Sequence, residues 1–391
     1  MNKERLCKLD EVLHEMISTG YAAGVNCLVI HKGKEQCYFE AGFRDRGNNL
    51  PITRDTIFRL YSMTKPITSA AVMILLQDGR IDLNEPVSKY ISSFANQKYV
   101  DADGNICDLE KPVTIQQLLN MTSGVSYPGD SNISDRAVEV VCQDALNKLY
   151  TEDELSTKEL IDKIAKCPLA FKPGTIWSYG FSADVLGLLV ENVSGMKFSE
   201  FLKKNIFEPL EMVDTDFYVP EDKQTRLSKT YEEYNGELIL YTGDNLVIQN
   251  RMERKPLFES GGAGLNSTID DYAHFNQMLM DGGSYKKRRI LYKSTVDFMT
   301  KSHLTNDQQK GVETWDHMGG YSYGNLLRVM KNPGLACSVS SKGEYGWDGW
   351  LGAYMMNDPK NDLTFLMMQQ KKDTGTTEYT RRLRNILFSA L

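Results

Sequence analysis

A serine followed three residues later by a lysine can carry acyl-transfer chemistry. That spacing occurs three times in this chain, at Ser62-Met-Thr-Lys65, Ser194-Gly-Met-Lys197 and Ser284-Tyr-Lys-Lys287. On a helix, residues three apart share a face one turn apart, so the amine can reach the hydroxyl. A lysine kept neutral by burial or by nearby positive charge then serves as base for the serine. Context separates the three copies. Ser194 closes an apolar helix beside Gly195, and Ser284 lies in a basic turn after Asp281-Gly282-Gly283. Only Ser62 follows an apolar strand-like run, Ile57 to Tyr61, and opens an apolar helix over about 63–78 that Gly79 stops. Pro66 is compatible only with a helix that begins close to Ser62. Such a start directs free N–H groups and a positive dipole end toward a developing oxyanion. The segment alone also reads as an N-cap serine with a solvent-exposed lysine, so other residues must decide.

A serine–lysine pair needs a second proton carrier. Tyr179, in Phe171-Lys-Pro-Gly-Thr-Ile-Trp-Ser-Tyr179, stands where a Pro-Gly turn leads into a long apolar helix. Beside a lysinium its phenol pKa is expected to fall, which would make it a base, including for deacylation. As one of 20 tyrosines it also reads as a half-buried packing residue. Gly346-Trp347-Asp348-Gly349-Trp350 puts glycines between bulky aromatics, a sign of close backbone approach in or beside a strand. A backbone N–H there could be a second oxyanion donor.

Other chemistries find less support. Gly320-Tyr-Ser322-Tyr-Gly324 matches G-x-S-x-G but lacks the strand before and helix after that a nucleophile elbow needs, so it reads as strand or turn. The five histidines (14, 31, 274, 303 and 317) form no metal-ligand spacing, and there is no P-loop. Gly261-Gly-Ala-Gly has no strand before it and reads as a tight turn. Neither metal nor cofactor is implied.

The elements that must position these residues follow from periodicity and turns. Residues 4–18 form an amphipathic helix, and 24–30 with 36–41 a hairpin. The middle of the chain is mostly helical, including 135–149 on an acidic surface excursion over 126–159, and apolar helices at 181–193 and 198–206. Strand-like runs then appear at 320–329, 335–339, 352–357 and 363–369, and 376–390 is a closing helix. The strands at the two ends need partners. The expected fold is therefore α+β, with one antiparallel sheet flanked by N- and C-terminal helices. It comprises a discontinuous domain of residues 1–80 and 255–391 and a mainly helical insertion of 81–254.

The chain has 391 residues and a formal charge of −7, which argues against general nucleic-acid binding. The dense basic run Lys286–Arg289 follows a turn signal and reads as a solvated loop. The N-terminus carries charges every few residues and has no apolar h-region, and no apolar run is long enough for a membrane span. Seven scattered cysteines, with no C-x-x-C pair, read as reduced thiols. A cytoplasmic protein is expected.

Taken in order, these segments resemble the serine β-lactamase and penicillin-binding-protein-like hydrolases, and within them the class C β-lactamase-related (family VIII) carboxylesterases. The resemblance runs from about residue 10 to 390. It is carried by Phe58-Arg-Leu-Tyr-Ser62-Met-Thr-Lys65-Pro-Ile-Thr68, Leu118-Leu-Asn-Met-Thr-Ser-Gly124, the Tyr179 segment with Asp184-Val-Leu-Gly187, Gly261 to Thr268, and Trp347-Asp-Gly349. It implies a β-lactamase/transpeptidase-like fold with Ser62 as nucleophile, Lys65 as base and Tyr179 as the second-motif tyrosine. It implies an oxyanion hole from the N–H groups of Ser62 and Trp350. Tyr127, Phe181, Trp347, Asp348 and Gly349 are the candidate substrate contacts.

Two departures bear on the substrate. Tyr179-Gly180-Phe181 stands where lactamases of this type carry Tyr-x-Asn, and Trp347-Asp348-Gly349 where they carry Lys-Thr-Gly. An amide handle and a carboxylate-holding cation are thereby lost. An inward-pointing Asp348 is expected to repel an anionic β-lactam by about 4 kcal/mol at about 4 Å and an effective dielectric of about 20. The expected activity is cleavage of small neutral carboxylic esters. A β-lactamase, a D-amino-acid peptidase or an acyltransferase using the same three residues is the alternative.

Overall fold

Strand β1 (Gly24–His31) is apolar at nearly every position because both of its faces are covered. Side chains alternate across a strand. Val25, Cys27 and Val29 pack into one cluster with helix α1 (Lys3–Ser18) and the last helix, Glu378–Ser389, while Leu28 and Ile30 face the larger cluster of the helical body. The strand Leu363–Gln369 repeats the pattern, with Leu363, Phe365 and Met367 toward the terminal helices and Leu366 and Met368 toward the body. In this computed structural model, residues 1–315 and 317–391 are described.

The sheet has eight strands, antiparallel throughout. In spatial order they are Tyr321–Tyr323, Arg328–Met330, Tyr345–Asp348, Tyr354–Asp358, Leu363–Gln369, β1, β2 (Lys34–Asp45) and β3 (Leu50–Pro51). Both ends of the chain supply it, and helices cover both faces. The fold is α+β, as the sequence predicts.

Helix α2 (Thr64–Gln77) is central to the helical body. Residues Thr64 to Leu75 are all buried. A helix apolar on every side has nowhere to go but the interior, and it carries Lys65 with it.

Several elements differ from expectation. The run 320–329 is two short strands joined by a turn in which Leu326 takes φ +61°. The run 335–339 is not a strand: Pro333-Gly334 starts a turn, Ala336 N–H closes on Asn332 O, and Leu335 and Val339 are exposed. A strand lies at Tyr345–Asp348, in the segment whose glycines between bulky aromatics point to a strand or its edge. The helix at Phe198–Leu202 passes into a π turn over Lys203–Phe207. Helix Thr157–Ile164, with a Ser156/Glu159 capping box, starts where the predicted surface excursion ends and belongs to the mostly helical middle, where the sequence reading does not single it out. The basic run forms an exposed two-stranded hairpin. All seven cysteines are free. Among the described residues, no helix is long and apolar enough to cross a membrane.

Phe365 is fully buried on a central strand opposite Val29. Phe365→Ala is expected to lower unfolding free energy by about 3–5 kcal/mol, read as a shift in the urea midpoint at unchanged m-value.

Candidate active site

Ser62 sits in a single 3-10 turn, Tyr61–Met63, that runs directly into α2. Lys65 follows in the first turn of the helix and is wholly buried. Its Nζ lies 3.1 Å from Ser62 Oγ, 3.1 Å from Tyr127 OH and 2.8 Å from Gly262 O. A neutral amine has two N–H groups and one lone pair. Gly262 O can only accept and the Tyr127 hydroxyl can accept, so the lone pair is left for the Ser62 O–H. Burial pushes the Lys65 pKa down to about 7, while the carboxylates of Asp184 and Asp348 act the other way. The Tyr179 ring face, 4.5 Å from Nζ, also favours the charged form.

The Gly262 carbonyl is aimed by neighbours. Buried Asp184 accepts from Ser260 Oγ and from Gly262 N–H, and Thr68 Oγ1 donates to Gly261 O at 2.6 Å. The segment that reads as a tight glycine turn in the sequence thus supplies a hydrogen-bond partner of the lysine.

Tyr127 and Tyr179 meet because Gly180 lets two segments touch. A Cβ at Gly180 would lie 1.9 Å from Val125 O, so only glycine allows the approach that sets the two rings 5.5 Å apart. Trp347 Nε1 donates to Tyr179 OH at 3.0 Å. Tyr179 is packed among Trp315, Trp347 and Trp177, and burial raises its pKa despite the nearness of Ser62 and the hydrogen bond from Trp347. This corrects the expectation that its pKa falls. Burial thus favours the protonated phenol, and of the two groups Lys65, pushed down to about 7, is the one that titrates near neutrality. Phe181 is buried edge-on beneath Tyr127, with ring centroids 4.8 Å apart, and supports that tyrosine instead of facing the cleft.

The strand Tyr345–Asp348 ends against the Ser62 turn. A Cβ at Gly349 would lie 2.2 Å from Leu60 O, so the glycine is what brings Trp350 alongside. Among the described residues, neither the Ser62 N–H nor the Trp350 N–H donates to a protein group. The Trp350 ring packs 5.0 Å from Tyr61, and its indole N–H donates to Asp373 at 2.6 Å. Asp348 lines the cleft but stands 3.7 Å from the buried guanidinium of Arg328 and accepts from Thr376 Oγ1. The repulsion expected of Asp348 is therefore largely offset.

These residues border a cleft of about 580 Å³. Ser62, Tyr127, Tyr179, Trp347, Asp348, Gly349 and Trp350 all line it, whereas Lys65 lies beneath. The sequence reading missed Leu246, Trp315, Met318, Arg328 and the Asp373–Thr377 turn. A polar Asp-Thr-Gly-Thr-Thr run before the last helix was the one readable signal among them.

The Beta-lactamase family profile matches residues 9–388. The chain belongs to the β-lactamase family. Esterase EstB of Burkholderia gladioli is 26% identical over 98% of this chain and 95% of its own length. Lovastatin esterase of Penicillium rubens is 29% identical over 81% of this chain and 80% of its own length. The solved structure of EstCE1, described as a hydrolase with promiscuous acyltransferase activity, superposes with a TM-score of 0.84 at 22% identity. It covers 98% of this chain and 99% of that one. The overall fold is thus shared with that structure.

With Lys65 as the base, kcat/KM should rise with pH through about 7 as the amine loses its proton. A pH–rate profile checks this, and Lys65→Met should abolish the rise along with the activity. Gly180→Ala should destabilise the chain by about 1–3 kcal/mol through overpacking, measured by urea unfolding.

Proposed function

We propose that this member of the β-lactamase family is a serine hydrolase that cleaves small neutral carboxylic esters through an acyl-enzyme on Ser62. The observation that carries the proposal is the buried Lys65 amine set between Ser62 Oγ, Tyr127 OH and Gly262 O.

Ser62 Oγ attacks the ester carbonyl and gives its proton to neutral Lys65. The N–H groups of Ser62 and Trp350 take the oxyanion. Tyr179, protonated and held by Trp347, donates its proton to the departing alkoxide and is refilled from the lysinium. Water then attacks the acyl-enzyme, and the same groups pass the proton in the reverse sense, returning Ser62 to its hydroxyl form.

Neutral substrates are favoured by missing handles more than by repulsion. The third motif has tryptophan where a lysine would hold a carboxylate, and Arg328 is engaged by Asp348. The relatives named as esterases agree with this reading. Transfer of the acyl group to an alcohol instead of water is the second reading. It is favoured by the apolar wall of Leu246, Trp315, Met318 and Trp350, which limits water at the acyl-enzyme.

Ser62→Ala should lower kcat on p-nitrophenyl acetate and butyrate by about 10³-fold or more. Equal rates in wild type and variant would refute the assignment. Nitrocefin should be turned over far more slowly than the esters. Leu246→Ala should shift relative kcat/KM toward longer acyl chains by about 10-fold, measured across a chain-length series.

A further inference from the structure

Tyr61, the residue before Ser62, has φ +44°. A bulky side chain enters that region only when its surroundings hold it there. Its ring is fully buried, and the hydroxyl ends on Asn250. Asn250 Nδ2 donates to Tyr61 OH at 3.1 Å and to Gly243 O at 2.7 Å, and the tyrosine's own proton faces Asn250 Oδ1 at 3.3 Å. The carbonyl of the same asparagine accepts from the Arg59 guanidinium, two residues before Tyr61.

Asn250 is itself fixed. Its backbone N–H donates to Asp244 Oδ1 at 2.8 Å, and that oxygen also accepts from Tyr150 OH at 2.8 Å. Between Asp244 and Asn250 the chain makes a tight turn in which Leu246 and Val247 both take positive φ, +52° and +61°, closed by Ile248 N–H to Asn245 O at 2.9 Å. A β-branched residue in that region is strained. Val247 is buried in the main core, which holds the turn in place. The loop is therefore a rigid part, with Leu246 at the cleft and Asn250 on the nucleophile turn.

Asn250 is buried and does not border the cleft. Its reach to the chemistry runs through one ring. The Tyr61 backbone sets where the Ser62 N–H and Oγ point, and the Tyr61 ring packs on Trp350, which supplies the other unpaired N–H. We propose that Asn250 is a positioning residue for the nucleophile. By holding the Tyr61 hydroxyl it keeps Tyr61 left-handed, and so keeps Ser62 Oγ and both oxyanion donors in register. The inference rests on Ser62 being the nucleophile.

A fluorophosphonate that labels the active serine separates the two claims, because it reports Ser62 reactivity without an ester assay. Wild type, Tyr61→Phe, Asn250→Ala and the double variant are compared by second-order labelling rate with mass mapping, by kcat and KM on p-nitrophenyl butyrate, and by thermal midpoint. Tyr61→Phe keeps the ring and its packing, so it keeps the test open if Asn250→Ala folds poorly. The expected result is a loss of about 10- to 100-fold in labelling rate and kcat in each single variant, with KM nearly unchanged. The double variant should be no worse than the poorer single one. The pH midpoint set by Lys65 should stay in place. Tyr61→Phe labelling and turning over at the wild-type rate would overturn the proposal, as would a lower thermal midpoint alone or losses that multiply in the double variant. A wild-type chain that takes no label at Ser62 would overturn the functional reading, and this inference with it.

Discussion

Removing a lysine ammonium from water costs several kcal/mol unless it is paired or gives up its proton. For Lys65, burial pushes the pKa down to about 7, which is what the proposed role as base requires. Among the described residues no carboxylate touches Nζ; its partners are a carbonyl and two hydroxyls. Asp184 is close enough to act on it but is occupied by Ser260 and Gly262 N–H. A direct carboxylate contact would have locked the amine in its charged form and removed the base. Burial without any opposing charge would have left it neutral with no tendency to take the serine proton. The intermediate arrangement yields a lysine that can do both.

That constraint explains features that look unrelated along the chain. Helix α2 must be buried on every side, which its apolar run provides. A carbonyl must face inward from the Gly261-Gly262 turn, and Asp184 and Thr68 hold it there. The aromatic wall of Tyr127, Tyr179, Trp315 and Trp347 excludes water while offering ring faces and hydroxyls, but no full charge, to the amine. The same wall raises the Tyr179 pKa, so one packing arrangement pushes the two groups' pKa values apart, as the proposed roles of base and acid require. Groups whose environments push their pKa values apart are assigned to opposite roles.

The parts of this design that were legible in the sequence were local. The Ser62–Lys65 spacing, the Pro-Gly turn before Tyr179 and the glycines around Trp347 each announce themselves within ten residues. The antiparallel sheet built from both termini was legible because its strands could bury their faces in no other simple way. What was not legible depends on distant packing. Nothing local marks Gly262 O as a lysine ligand, or Arg328 as the counter-charge to Asp348 from a neighbouring strand. The fall expected in the Tyr179 pKa failed because charge proximity was considered without the burial that outweighs it.

The strained residues extend the same logic from protonation to geometry. Tyr61 at φ +44° and the Leu246-Val247 turn sit on opposite sides of one hydrogen-bonded junction at Asn250. Unfavourable backbone of this kind costs on the order of 1–3 kcal/mol per residue and persists only where the surroundings over-determine it. Here the surroundings are a buried tyrosine ring, a buried valine and an asparagine with every polar group engaged. On the proposal above, a relaxed backbone at Tyr61 would take the Ser62 N–H out of register with the Trp350 N–H, which has no partner among the described residues. On the proposed mechanism the stability given up in these turns goes into fixing two N–H directions in advance, and a site whose donors are already aimed needs no reorganisation when charge develops on the substrate oxygen.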